Sequence, residues 1–419
     1  MNKVVISGTG FITSIGNDKK DVEKHLRELK HGFSLVDLLP GVEGAKRLIG
    51  RPQGFSFPSA SYMTWRYPAA YKLPRELMRG LSPHGVYASC AALQAIEDSG
   101  ITQDELSNGE TALFCSSAGS PWLLSQNLKH MRESDAIHGS PFGVISSISG
   151  TLNFNLSTYL KIRGGNCGFV SACSSSTHAI GFAIDQIRLG RQKRVIVIGA
   201  EEDMPETILP FAAMRVMADT HDPSRGSCPF DVERSGFLAC GGAAALIIED
   251  EQSALERGVK PYARLCGWGH SADGYSTAQP DPKGEGLLRA MKLALEDAEL
   301  PAEAIDYVNA HATSTIAGDA AEATAISNLY SGKKKLPAVS GTKSLTGHGL
   351  SLAGAMETGI CALALREGFT PGNAHLRTPC KEAESLTLPL TTKDTRPSYI
   401  LKNNSGFGGS NVSLVMQAV

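Results

Sequence analysis

The chain has 419 residues, 42% of them hydrophobic, and a net charge of -2. That is ample for a large buried core, and the near-neutral balance argues against general nucleic-acid binding. No apolar run approaches the ~20 residues that span a bilayer, and the opening MNKVVISGTG runs straight into a strand, too short and Gly-rich for a signal peptide. Nine scattered cysteines without repeated CxxC spacing read as reduced thiols, so the expectation is a cytoplasmic protein.

Val4 to Gly10 predicts a buried strand ending in a glycine turn. Residues 17–83, rich in Pro, Gly and aromatics, predict an insertion with short helices. Gly85 to Ser99 carries Val86, Leu93 and Ile96 at helical spacing, Thr111 to Gly119 is strand-like, and 120–160 predicts a second irregular, partly helical insertion. Next comes GFVSACSSSTHAIGFAIDQIRLGRQKRVIVIGAEED. Phe169 to Ala172 predicts a short strand or elbow, and Ile180, Ala183, Ile184 and Ile187 mark one face of a helix that Gly190 can stop. Val195 to Ala200 suits a parallel strand buried on both faces, and Gly241 to Glu249 is another strand.

The remainder repeats this plan. Strands are predicted at Tyr262 to His270, Asp306 to Thr313 and Ala338 to Lys343, and helices at Gly286 to Glu299, Asp319 to Leu329 and Ser351 to Leu365. A closing strand pair, Ser398 to Asn403 and Asn411 to Gln417, surrounds a glycine turn. Such duplication predicts an α/β architecture of two similar halves, residues 1–250 and 251–419, meeting at the polar EDEQSALERG.

Cys173 lies between an apolar strand and an amphipathic helix, flanked by Ser171, Ala172, Ser174, Ser175 and Ser176. A sulfur at a helix N-terminus gains thiolate character from the macrodipole and free N–H groups, and small neighbours leave room for a substrate. The alternative is a buried structural thiol, which suits most of the other eight cysteines. His311, after DYVNA, and His348, in TKSLTGHGLSLAG, sit at junctions where α/β proteins place active sites. Each alone reads more readily as an ordinary loop or core histidine, since neither spacing is a metal signature. The glycine turn in NNSGFGGSN can aim backbone N–H groups at an oxyanion or serve as a simple hairpin.

Taken in order, SACSS around Cys173, NAHATST, GTKSLTGH and GFGGSN closely resemble the β-ketoacyl-[acyl-carrier-protein] synthases. The resemblance implies a thiolase-like fold with five α/β/α/β/α layers and decarboxylative condensation of malonyl-carrier protein with an acyl chain on Cys173. Its Cys-His-His order is similar to the elongating synthases. By the same resemblance His311 and His348 serve the enolate, and the N–H groups of Cys173 and Phe407 form the oxyanion hole. Lys343 supports the second histidine, Glu322 holds that lysine, and Thr313 and Thr315 bind the phosphopantetheine arm. No metal or redox cofactor is implied. The implied partners are acyl carrier protein and a second copy, or a chain-length-factor homologue.

Three departures stand out. Ala312 replaces a glycine, which implies ordinary φ < 0 backbone there. The histidine loop continues GHGLSLAG. Ser405 aligns with a phenylalanine that gates the acyl pocket in relatives, so either the gate admits stiff or polar chains such as polyenes, or a nearby aromatic fills the space. Together these lean toward a specialised polyketide or aryl polyene role over ordinary fatty-acid elongation. Arg75 and Arg79, or Arg191, Lys193 and Arg194, offer basic patches for an acidic carrier protein. The rival readings are a non-catalytic chain-length-factor-like subunit, against which Cys173 and both histidines argue, and an initiating synthase or thiolase using coenzyme A thioesters.

Overall fold

The computed structural model describes residues 2–134 and 139–419; the second insertion therefore lies partly outside the described residues. Ten strands form one mixed sheet: β1 (Val4–Ile12), β4 (Thr111–Ser116), β5 (Asn166–Gly168), β6 (Arg194–Glu201), β7 (Gly242–Asp250), β8 (Ala263–Ala272), β9 (Tyr307–Asn309), β10 (Ala338–Ser340), β11 (Tyr399–Gly406) and β12 (Ser410–Gln417). The two remaining strands, β2 (Phe33–Asp37) and β3 (Lys46–Gly50), pair as a separate hairpin inside the first insertion, where only helices were expected.

Sheet order is β10-β9-β11-β12-β8-β1-β7-β6-β4-β5. From each edge inward the pairings run parallel, parallel, antiparallel, antiparallel, as β5-β4-β6-β7-β1 on one side and β10-β9-β11-β12-β8 on the other. The two five-strand units thus repeat one topology. They join through only three residue pairs, Val4 to Ile6 against Ala263 to Leu265.

Three helical layers complete the fold. The helices Ser175–Arg188 and Ala353–Glu367 pack on each other and on strands of both units. Their side chains dominate a central core with Val197, Leu246, Ile360 and Leu414. On the outer face of the first unit lies the helix Pro83–Ser99, and on that of the second lie Glu285–Asp297 and Ile316–Leu329, each over its own apolar cluster. This is the expected five-layer arrangement. The central helices approach closely because Gly354 lacks a Cβ, which would fall 2.3 Å from Thr177 Oγ1. The expected apolar face of Ser175–Arg188 is buried at Ile180, Ala183, Ile184 and Ile187, and Gly190 follows its end with φ +67°. No helix among the described residues is long and apolar enough to cross a membrane.

Candidate active site

Cys173 sits on an elbow between β5 and the helix Ser175–Arg188. Ala172 adopts φ +52°, a left-handed conformation unusual for alanine, and the chain turns so sharply that Ser171 bridges Cys173. The neighbouring serines hold this strained turn. Ser175 Oγ accepts from the Ser171 N–H at 2.8 Å and donates to the Ala172 carbonyl at 2.6 Å, while Ser174 Oγ donates to the Ser171 carbonyl at 2.7 Å. The end of β11 lies against the elbow at Gly406, where a Cβ would stand 3.0 Å from the Cys173 nitrogen and 2.8 Å from the Ser171 oxygen. Only glycine allows that approach, which brings Phe407 beside the nucleophile.

His348 Nε2 lies 3.0 Å from Cys173 Sγ. Its backbone is clamped, its N–H donating to Leu238 at 2.7 Å and its carbonyl accepting from the Cys240 N–H at 3.1 Å. The ring stands edge-on to Phe237, with centroids 5.2 Å apart. His311, just past β9, meets His348 at 5.3 Å and 84°. Cys173, His311 and His348 thus converge, their ligand-type atoms all within 4.8 Å of one another.

The supporting charges differ from expectation. Lys343 Nζ donates to Glu357, not to Glu322. It also donates to the His311 carbonyl at 2.5 Å and faces His311 Nδ1 at 3.3 Å. Lysine therefore contacts the first histidine rather than the second, although its charge acts on both. Glu322 holds the loop instead, accepting from the N–H groups of His311 at 2.8 Å and Ala312 at 2.7 Å. Ala312 itself has φ +27°, against the expectation of ordinary backbone; the two bonds to Glu322 over-determine the turn. Sequence reading missed Glu357 and also Asn404, whose Nδ2 donates to His311 Nδ1 at 2.9 Å and to Glu357 Oε2 at 2.8 Å.

Electrostatics correct a further expectation. The helix starts at Ser175 with Ser174 as its cap, so Cys173 directly precedes the N-terminus as expected, but its thiol is not lowered. Burial pushes the thiol up to about 12, with the nearby Lys343 charge opposing that shift. Burial and then the Lys343 charge hold both His311 and His348 well below the ordinary imidazole range. Both rings are therefore neutral at physiological pH, each able to present an N–H.

The three residues line a cleft of about 130 Å³ together with Phe211, Phe237, Thr313, Thr315, Ser405 and Phe407. Thr313 and Thr315 face each other with Oγ1 atoms 3.0 Å apart, and Thr315 also caps the helix Ile316–Leu329. Ser405 Oγ donates to Asn411 Oδ1 at 2.7 Å. The rings of Phe211 and Phe407 lie 6.2 Å apart in the same cleft, so aromatic bulk is present beside Ser405. Arg75 and Arg79 are exposed near Tyr62, whose hydroxyl accepts from Arg75 Nε at 3.1 Å. Arg191 and Lys193 are exposed too, but Arg194 is buried, paired with Glu105 at 2.9 Å and Glu249 at 3.6 Å, and offers nothing to a partner.

Residues 1–254 match the family described as "Beta-ketoacyl synthase, N-terminal domain", and residues 262–377 match its C-terminal domain. The "3-oxoacyl-[acyl-carrier-protein] synthase 1" of Haemophilus influenzae is 34% identical, the match covering 100% of this chain and 99% of that protein. Its namesake from Escherichia coli is 32% identical over 100% of this chain and 99% of its own. A crystal structure of a β-ketoacyl synthase from Burkholderia phymatum superposes with a TM-score of 0.89 at 28% identity, covering 100% of both chains. The fold has full-length counterparts, and the chain belongs to the β-ketoacyl synthase family of acyltransferases.

Proposed function

We propose that this chain elongates carrier-bound acyl chains as a 3-oxoacyl-[acyl-carrier-protein] synthase, with Cys173 as nucleophile. The observation that carries this reading is the convergence of Cys173 Sγ, His348 Nε2 and the His311 ring on one cleft. In the first half-reaction Cys173 attacks an acyl thioester. Its proton ends on the departing phosphopantetheine sulfur, so the enzyme ends neutral and acylated. The N–H groups of Cys173 and Phe407 hold the tetrahedral oxyanion.

In the second half-reaction a malonyl thioester loses CO2, and the electrons of the broken C–C bond form an enolate. Two neutral imidazole N–H groups, from His311 and His348, stabilise its oxygen. The enolate carbon attacks the Cys173 thioester, expelling the sulfur as a thiolate, which takes a proton from solvent. The product is a 3-oxoacyl thioester two carbons longer. Decarboxylation supplies the driving force, so the reading calls for no metal or redox group. Thr313 and Thr315 line the cleft wall, which supports the reading that they meet the pantetheine arm.

Acyl carrier protein is the proposed donor of both substrates, docking at Arg75 and Arg79. A second copy is proposed to pair along β5, an exposed edge strand beside Val170, which is 77% exposed. The full catalytic set favours an active subunit over a chain-length-factor role. A specialised chain class is a second reading, favoured by Ser405 in the cleft wall.

Intact mass spectrometry with a panel of acyl carrier proteins tests the proposal. The expected result is a mass gain equal to the acyl group, lost in Cys173→Ala. Absence of acylation from every carrier overturns it.

A further inference from the structure

Behind His311, on the side away from the cleft, lies a buried cluster of charged and polar groups that the two half-reactions leave unused. Lys402 on β11 is fully buried, a placement that lysine tolerates only with partners. Its ammonium donates to Asn404 Oδ1 and, at 2.9 Å, to Thr177 Oγ1, and stands 3.7 Å from Glu357 Oε2. Thr177 Oγ1 in turn donates to Asn404 Oδ1. The amide oxygen of Asn404 therefore faces two donors.

The other end of that amide faces two acceptors. One N–H is directed to Glu357 Oε2 at 2.8 Å and the other to His311 Nδ1 at 2.9 Å. A lysine ammonium cannot accept a hydrogen bond, so turning the amide over would set its NH2 against Lys402 and its oxygen against the Glu357 carboxylate. Orientation is thus determined from both ends. Lys343 Nζ, at 3.3 Å, also offers a proton to the same ring nitrogen. With two donors pointing at it, His311 Nδ1 is left to act as acceptor.

We propose that Asn404, oriented by Lys402, is a positioning residue that fixes His311 as its Nε2–H tautomer, so that the ring's proton faces the cleft. A histidine presents its reactive nitrogen in the state that the bond to its other nitrogen dictates. In the opposite tautomer Nε2 would be a lone pair directed at a developing negative oxygen. The catalytic consequence rests on His311 serving the enolate, as proposed above, whereas the tautomer itself is a property of the resting protein. Burial draws Lys402 down to about 8 while Glu357 opposes the shift, so the ammonium form still predominates at pH 7.

The test combines 15N NMR of imidazole-labelled protein with separate assays of malonyl-carrier decarboxylation and Cys173 acylation. Wild-type His311 is expected as the Nε2–H tautomer. In Asn404→Asp, a carboxylate oxygen faces Nδ1 and draws the proton there. Decarboxylation is then expected to fall about 10²–10³-fold, the effect of losing one oxyanion donor, while acylation stays within about threefold. Lys402→Met, which frees the amide to turn, is expected to show both tautomers and an intermediate loss confined to decarboxylation. An Nδ1–H tautomer in the wild type overturns the proposal without any variant. So does an unchanged tautomer in Asn404→Asp, or an equal loss of both half-reactions. A wild type that shows the Nε2–H tautomer but decarboxylates no malonyl carrier supports the positioning and defeats the functional reading instead.

Discussion

His348 Nε2 stands 3.0 Å from Cys173 Sγ, yet burial drives the two groups toward sharing no charge. The thiol is pushed up to about 12 and the imidazole is held well below its ordinary range. The resting pair is a neutral thiol against a neutral ring, and the proton moves only as sulfur attacks. Alkylation of Cys173 by iodoacetamide, followed by mass spectrometry, is therefore expected to be slow at pH 7. It should accelerate about tenfold per pH unit into the alkaline range, following the thiolate fraction. A rate already level below pH 7 would reveal a preformed thiolate–imidazolium pair.

The identity of the lysine's partner has an energetic consequence. Glu357 is the carboxylate shared by Lys343 and Lys402, so Glu357→Gln leaves two buried ammonium groups without their counter-charge. Breaking such a cluster by removing one member costs about 3–5 kcal/mol. Glu322→Gln keeps an oxygen for one of the two backbone N–H groups and leaves the other facing an NH2, but strands no cation, and should cost about 1–3 kcal/mol. Urea unfolding of the two variants gives the comparison. A larger loss in Glu322→Gln would restore Glu322 as the lysine's support.

Buried acids set a pH dependence of stability. Burial raises Glu201 to about 8, and Glu202 and Glu322 to about 7. A carboxyl with a raised folded pKa holds its proton more tightly when folded. Its contribution is complete below its ordinary value of ~4.3 and is lost as pH climbs through the raised one. Buried His84, His311 and His348 are lowered, so their contribution is present above ~6.5 and lost only as pH falls. Between pH 6.5 and 8 the acids dominate, and the thermal midpoint is expected to fall across that window. Glu201→Gln should flatten the decline, since it keeps an oxygen for the Ala118 N–H and Ser351 hydroxyl while removing the titrating group. An equally steep fall in this variant would count against Glu201 as a contributor.

The uneven legibility of the site follows from where its chemistry is written. Cys173, His311 and His348 sit in local motifs of small residues and glycines, whose composition advertises a turn open to a substrate. Glu357 lies within AGAMETGICALALRE, a helix buried from Ala353 to Leu365, where one acid among apolar residues resembles a helix surface. Lys402 interrupts a core strand and reads as an exposed edge position, because nothing local announces that Glu357 and Asn404 converge on it. The left-handed turn at Ala312 was likewise hidden. Its cause is the Glu322 carboxylate ten residues along the chain, and residue type alone pointed to ordinary backbone. The layered fold was readable because its two units repeat, whereas the β2–β3 hairpin carries no repeat and little alternation, with Ser34 and Leu35 both exposed.

Ser405 lines the cleft, where the proposed acyl chain would pass it. Its hydroxyl is bonded to Asn411, which in turn donates to Asp273 Oδ1 at 2.7 Å, so the side chain is fixed rather than free to swing. Ser405→Phe adds an aromatic ring beside Phe407 and severs the bond to Asn411. Acylation by stiff polyenoyl carriers is expected to drop by about tenfold or more relative to saturated chains, which can bend around the new ring. Equal effects on both classes would assign the gating to Phe211 and Phe407 instead.

Among the described residues, one group of His, Cys, Asp and Glu side chains converges closely enough to hold a metal ion, and it is Cys173, His311 and His348. Zinc binds cysteine sulfur at ~2.3 Å and imidazole nitrogen at ~2.0–2.1 Å, and a tetrahedral site with three such ligands leaves a fourth position open. Ligand atoms within 4.8 Å of one another can close on an ion with small side-chain adjustments. Metal binding must displace the thiol proton, and the energy of the Zn–S bond can offset that cost. Micromolar Zn2+ is therefore expected to block acylation of Cys173, with activity restored by a chelator, whereas Mg2+, which prefers oxygen ligands, should have no effect. Enzyme acylated beforehand offers a thioester in place of a thiolate and should continue to condense malonyl carrier after zinc is added. Equal inhibition of the free and acylated forms would locate the metal elsewhere on the protein.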